Sequence, residues 1–113
     1  MFTHIKTSKA NREIISELTR KWDLGAENVI ARMALAHSLE NDEQLELKDL
    51  QDSGGKEYSR KVLLGSYEDI YLGMLYSKYK LDSSNSLVQK YLKLHLDKGL
   101  GSILNSHGLL IHG

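Results

Sequence analysis

The sequence predicts a mostly α protein, a single compact helical domain spanning residues 1–113 with an N-terminal helix hairpin. Three observations carry that expectation. There are 20 Leu against 3 Val and 3 Thr, which favours helix over sheet. There is no Pro to break a helix or mark an edge strand. The composition, 41% hydrophobic and 27% charged, is that of a folded globular chain, and 113 residues suffice for one core but not two.

The elements follow in order. Residues 2–7 alternate as a strand would, with Thr3, Ile5 and Thr7 on one face and Phe2, His4 and Lys6 on the other. A short strand before two amphipathic helices resembles a ribbon-helix-helix unit, in which strands of two chains pair and enter a DNA groove. The alternative is a frayed terminus or a strand packed against its own domain. Ser8 is a good N-cap for a first helix through Ile14, Ile15, Leu18 and Trp22, whose 3–4 spacing makes one apolar stripe. Gly25 supplies a turn, and a second helix runs from about Ala26 to Leu39 with Val29, Ile30, Met33, Ala34 and Ala36 on its buried face.

Asn41 to Gly55 is acidic and ends in the loop signal Asp52-Ser53-Gly54-Gly55. Lys56 to Gly65 reads as an extended connector or short strand. Ser66 with Asp69 resembles a capping box opening a third helix to about Lys80. Asp82 to Asn85 breaks the chain, and a fourth helix is expected from about Ser86 to a left-handed C-cap at Gly99, with a short helical turn near Ile103 and Leu104 beyond it.

The formal charge is zero, which at first sight counts against a phosphate-rich partner. By segment it is not uniform. Residues 1–37 net +2, residues 38–55 net −5 with Lys48 alone against six carboxylates, and residues 56–113 net +3. No Cys is present, so a thiolate zinc site, a cysteine nucleophile and persulfide chemistry have no residue in this chain, and a reducing cytoplasm is the expected location. The start lacks a signal-peptide pattern, and no apolar run approaches the roughly 20 residues of a membrane span.

Three segments carry a closer resemblance that covers most of the chain: Asn28-Val29-Ile30-Ala31-Arg32-Met33-Ala34-Leu35-Ala36-His37-Ser38-Leu39, Gly55-Lys56-Glu57-Tyr58 leading to Leu64-Gly65, and His95-Leu96-Asp97-Lys98-Gly99. Together they resemble the DndE family, the small component of bacterial DNA phosphorothioation systems of the restriction-modification type, which replace a non-bridging backbone oxygen with sulfur. The resemblance implies a non-catalytic DNA-binding accessory protein. It would be a homo-oligomer, a tetramer by analogy, favouring nicked duplex DNA and working with the other Dnd proteins.

From the residues themselves, Lys6, Lys9, Arg12, Arg20 and Lys21 lie on or beside the first helix, and Arg60 and Lys61 follow the central loop. Cations on a rigid scaffold neutralise phosphates without reading bases, which makes these seven the candidate DNA contacts. The plainer reading is a solvated face, with Glu17 and Lys21 as an i,i+4 pair. Asp52-Ser53-Gly54-Gly55-Lys56 lacks P-loop spacing and reads first as a tight turn. The runner-up function is a metal-dependent nicking endonuclease built on Asp49, Asp52 and Glu57; a metal-free nickase would need a nucleophile such as Tyr58 beside a base, and no His-x-His arrangement accompanies it. A protein-binding scaffold docking through the acidic segment is the third. The histidines, at positions 4, 37, 95, 107 and 112, have no metal-ligand spacing, so neither metal nor cofactor is expected. His37 and His95 read as helix-end residues. Tyr67 with Tyr71, or Tyr76 with Tyr79, could line a subunit contact or stack on bases.

Overall fold

The computed structural model describes residues 2–41 and 43–106. Strand β1 is His4–Lys6, helix α1 is Lys9–Lys21 and helix α2 is Glu27–Glu40. A 3-10 turn at Leu47–Asp49 leads to strand β2, Glu57–Ser59, then helix α3, Arg60–Leu64, and a second 3-10 turn at Gly65–Tyr67. Helices α4, Glu68–Tyr79, and α5, Val88–Ser106, complete the order.

The N-terminal hairpin forms as expected. Ser8 caps α1, its side chain accepting from the Asn11 amide at 3.1 Å, and Ile15 and Leu18 are fully buried. The α1–α2 turn uses two left-handed residues, Asp23 as well as Gly25. On α2 the buried face is Ile30, Ala31, Ala34, Leu35, Ser38 and Leu39. It is rotated from the expected one, leaving Met33 half exposed.

β1 pairs antiparallel with β2 of its own chain, setting His4 opposite Ser59, Ile5 opposite Tyr58 and Lys6 opposite Glu57. Its other edge is covered by α5, where Gln89 Nε2 donates to the His4 carbonyl at 2.6 Å and Lys93 Nζ to the Lys6 carbonyl at 2.7 Å. Those two carbonyls are therefore taken, which favours the in-domain strand over a ribbon shared between chains.

Three expectations need correction. The 56–65 connector is a three-residue strand followed by a helical turn capped by Ser59, whose hydroxyl accepts from the Val62 amide. The Ser66 capping box does not form, because Gly65–Tyr67 is a 3-10 turn and α4 starts after Tyr67 without a side-chain cap. Nor is Gly99 a C-cap: α5 continues through it to Ser106, absorbing the expected turn at Ile103 and Leu104. The reason is packing. A β-carbon on Gly99 would lie 2.0 Å from the Ala34 carbonyl oxygen, so the α2–α5 crossing has no room for a side chain there. Around that crossing one continuous core gathers Ile15, Leu18, Leu35, Leu75, Leu92 and Leu96 with Tyr58 and Leu63.

Candidate nucleic-acid interface

The Asp52–Gly55 loop is fixed to the start of α1 by hydrogen bonds that use its polar groups inward. Asp52 Oδ2 accepts from the Lys9 and Gly54 amides, each at 3.0 Å, which holds its carboxyl below the ordinary carboxylate range. The Gly55 amide donates to the Thr7 carbonyl at 3.0 Å, and the Lys56 amide to Thr7 Oγ1 at 2.9 Å. A β-carbon on Gly55 would meet the Ser8 carbonyl oxygen at 2.1 Å, so only glycine lets the loop lie this close. With the Gly54, Gly55 and Lys56 amides engaged, the loop is a tight turn and not a phosphate cradle.

Beneath it lies a buried polar junction. Asp97 Oδ1 accepts from the Ser8 amide at 3.1 Å and from Asn11 Nδ2 at 2.7 Å, while Asp97 Oδ2 pairs with Lys93 Nζ at 2.8 Å. The same ammonium donates to the Asp52 carbonyl at 2.8 Å, so Lys93 joins β1, the loop and α5. The amides of Ser8, Lys9 and Asn11 are thus capped by Asp97, Asp52 and the Ser8 hydroxyl, which occupies the electropositive end of α1 from within.

What remains exposed around this junction is a set of cations interspersed with the carboxylates of Glu13, Glu17 and Glu57. Lys9 and Arg12 line a shallow groove of about 450 Å³ on one side of the loop with Gly54, Glu13 and Glu17. Lys6 lies on the other side, in a cleft that also takes in Lys90. Of the seven sequence-predicted cations, the structure gathers Lys6, Lys9 and Arg12 about one loop. Arg20 and Lys21 lie at the far end of α1, roughly 16 Å along the helix from Lys9. Arg20 pairs at 2.6 Å with Glu17, in place of the anticipated Glu17–Lys21 contact.

Arg60 is withdrawn from solvent interactions by Glu68, 2.9 Å from its Nε, by the Phe2 carbonyl and by the Phe2 ring. Lys61 is exposed on α3 beside it. Sequence reasoning passes over Lys90 and Lys93. The i,i+4 spacing of Gln89, Lys93 and Asp97 is a signal for Lys93, whereas Lys90 has none.

Of the residues considered for cleavage, Asp49 closes the 3-10 turn at Leu47–Asp49 and the others are spread over separate elements. Asp52 caps α1, Glu57 sits on β2, and among the described residues no three His, Asp or Glu side chains converge as a metal site. Tyr58 donates its hydroxyl to the Glu27 carbonyl at 3.1 Å, and burial, reinforced by the Glu27 charge, pushes its pKa up, the wrong direction for a nucleophile. His95 is not at a helix end but buried within α5, between Ser38 Oγ at 2.7 Å and the Tyr79 hydroxyl at 2.6 Å. Tyr79 also accepts from the Leu45 amide at 2.9 Å, so its hydroxyl joins α4 and α5 to the stretch before the first 3-10 turn. Burial first, then the Lys78 charge, lowers the His95 pKa to about 4. His107 and His112 lie outside the described residues.

Tyr67 and Tyr71 meet edge to face at 6.4 Å, and Tyr79 stacks on Tyr91 at 3.9 Å. Among the described residues, no helix is long and apolar enough to cross a membrane.

The motifs that carry the family resemblance therefore build the scaffold. Arg32 donates to the Val62 and Leu63 carbonyls, Gly55 and Gly99 permit close backbone approaches, and His95 and Asp97 anchor helices. Comparison with known proteins agrees with that reading. A solved structure described as DndE from Escherichia coli B7A, involved in DNA phosphorothioation modification, has the same fold, with a TM-score of 0.66 over 91% of this chain and 98% of that one at 18% identity. No curated protein matches by sequence. A family profile described as DNA sulphur modification protein DndE matches residues 4–109, and the chain belongs to the DndE family.

Proposed function

We propose that this protein is a DNA-binding accessory subunit of a DNA phosphorothioation system, acting in the cytoplasm as a homo-oligomer, with tetramer as the expected state, alongside other Dnd proteins. The observation that carries the reading is the cluster of Lys6, Lys9, Arg12 and Lys90 around a rigid loop, with no ion pair to any of the four among the described residues. Such a cluster suits backbone phosphates of duplex DNA, nicked duplex included, and supplies no base code. Arg20, Lys21, Arg60 and Lys61 extend the basic surface only if subunits or a curved duplex bring them in.

Assembly is supported by exposed apolar side chains on adjoining elements, Met33 of α2, Val62 of α3, Tyr67 of the following turn and Ile70 of α4, each about half exposed. A cyclic or dihedral array of a net-neutral subunit multiplies the local basic face without raising total charge. Catalysis is assigned to the partner proteins, since sulfur transfer through a persulfide requires a thiolate that this chain does not supply.

The test is titration of nicked duplex, intact duplex and single strand at two salt concentrations, with and without Mg²⁺, followed by inspection of the DNA. Salt-sensitive binding to uncut duplex is expected. Lys9→Glu with Arg12→Glu lowers the salt slope by about 1 for each phosphate no longer neutralised, without unfolding the domain. Unchanged affinity at low salt removes this surface from the proposal. Cleaved DNA overturns the non-catalytic reading.

A further inference from the structure

The cleft holding Lys6 and Lys90 differs from the open groove beside Lys9. Its volume is about 380 Å³, within the range for small-ligand sites. Its floor is β1 with Glu57 of β2, one wall is the Leu50–Ser53 stretch, and the other is the first turns of α5. Those three parts are tied together by the Lys93 ammonium, and Gln89 adds a second tie from α5 to β1. The cleft is thus preformed, and little ordering would oppose a ligand.

The groups left available are chemically mixed. Lys6 and Lys90 make no ion pair or side-chain hydrogen bond among the described residues, and neither does Glu57, although it stands directly opposite Lys6 in the β1–β2 register. Gln51 adds an amide, and Leu50 an apolar surface. Two cations suit a phosphate, while an unpaired carboxylate beside them would repel a bare anion and favours a ligand that also brings N–H donors. Leu50 suits a flat, weakly polar ring. One unit combines all three properties.

We propose that this cleft binds a single nucleoside monophosphate unit, phosphate toward Lys6 and Lys90 and base edge toward Glu57 and Gln51, supplied either as free nucleotide or as the unpaired terminal nucleotide of a strand. The strand-end source rests on the DNA-binding reading above; the free-nucleotide source does not. A carboxylate acceptor favours bases with an exocyclic amine, so adenine, guanine and cytosine bind better than thymine.

The experiment is a backbone-amide NMR titration of the intact protein with each of the four deoxynucleoside 5′-monophosphates, with inorganic phosphate, and with a short single-stranded oligonucleotide. Expected are saturable shifts at Lys6, Gln51, Glu57 and Lys90, about tenfold weaker for inorganic phosphate than for dAMP, and weakened about tenfold by Lys90→Gln. Glu57→Gln removes the preference over dTMP while the amide spectrum stays folded. The same shifts at lower concentration with the oligonucleotide identify the strand end as the source, and nucleotide alone identifies the free ligand. Equal response to phosphate and nucleotides, or shifts confined to other surfaces, overturns the proposal. Duplex binding with a silent cleft overturns the cleft alone, whereas nucleotide binding without any duplex binding retains it and overturns the accessory-subunit reading.

Discussion

Lys90 and Lys93 stand three residues apart on α5 and do opposite work. Lys90 is exposed and unpaired among the described residues, whereas Lys93 has only 12% of its side chain accessible and spends its donors on Asp97 and on two carbonyls. The carboxylates repeat the contrast, with Asp97 buried under the α1 N-terminus and Glu57 free on the strand surface. Charge type therefore does not locate function in this molecule. The charges inside the junction are satisfied and hold the walls in place, and Lys90 and Glu57 just outside make no ion pair among the described residues.

The comparison breaks most severely at Asp97. Removing its carboxylate in Asp97→Ala leaves a mostly buried ammonium without a counter-ion, strips the Ser8 amide of its acceptor and leaves Asn11 Nδ2 only the longer bond to the residue-97 carbonyl. A loss of about 3–5 kcal/mol is expected in urea unfolding. Adding Lys93→Met recovers part of it, because the stranded charge goes too. Lys90→Ala, by contrast, changes stability by less than about 0.5 kcal/mol. Equal effects of the two lysines on stability would erase the division between inside and outside.

Gly99→Ala comes next. Its new β-carbon would collide with the Ala34 carbonyl at the point where α2 and α5 touch, and that oxygen belongs to helix backbone, which cannot step aside alone. Separating the helices opens the core around it, with an expected cost of about 3 kcal/mol. Unfolding at unchanged denaturant would show that the crossing has slack.

These two sites also show what can be read from the amino acids and what cannot. Helix α1, its Ser8 cap and the hairpin to α2 are legible because caps and apolar spacing act within a few residues of one another. Gly99 misleads because a glycine late in a helical pattern resembles a C-cap, while its actual reason is Ala34, on another helix. The rotated face of α2 has the same origin, since Met33 and Leu35 differ in burial only through what packs beside them. Of the candidate site, the residue types are legible and the grouping is not. Nothing local to Lys6 and Lys9 says that Lys90 closes the same surface, or that Arg60 is already engaged by Glu68 and Phe2.

A smaller effect tests the other buried junction, where His95 ties α5 to α2 and α4. Its folded pKa of about 4 lies below the ordinary histidine value of 6.5, so between those values the unfolded chain binds the proton and the folded one does not. Stability is fully present above pH 6.5 and falls as pH drops toward 4, by on the order of 2 kcal/mol. Thermal unfolding at about pH 7, 5.5 and 4.5 measures it, and His95→Gln is expected to flatten that slope. A wild-type curve with no dependence in this window would mean that His95 already opens to solvent in the native state.

The smallest expected effect separates a glycine the fold requires from one it does not. Gly73 lies inside α4 at an exposed position, and a β-carbon there meets nothing within 4 Å. Gly99 is also inside a helix but is buried. Helix propensity acts equally on both, favouring alanine by about 1 kcal/mol, so only tertiary contact distinguishes them. Gly73→Ala is thus expected to stabilise the monomer by about 1 kcal/mol, opposite in sign to Gly99→Ala. The same face of α4 carries Ile70, the most exposed of the large apolar side chains among the described residues. Stability therefore needs to be read beside molar mass at several protein concentrations. On the proposed homo-oligomer, a stabilised chain of unchanged mass places the contacts between copies away from Gly73. A more stable chain that no longer assembles would instead show that the bare helix surface at Gly73 lets a second copy approach, the packing constraint that Gly99 meets inside the subunit.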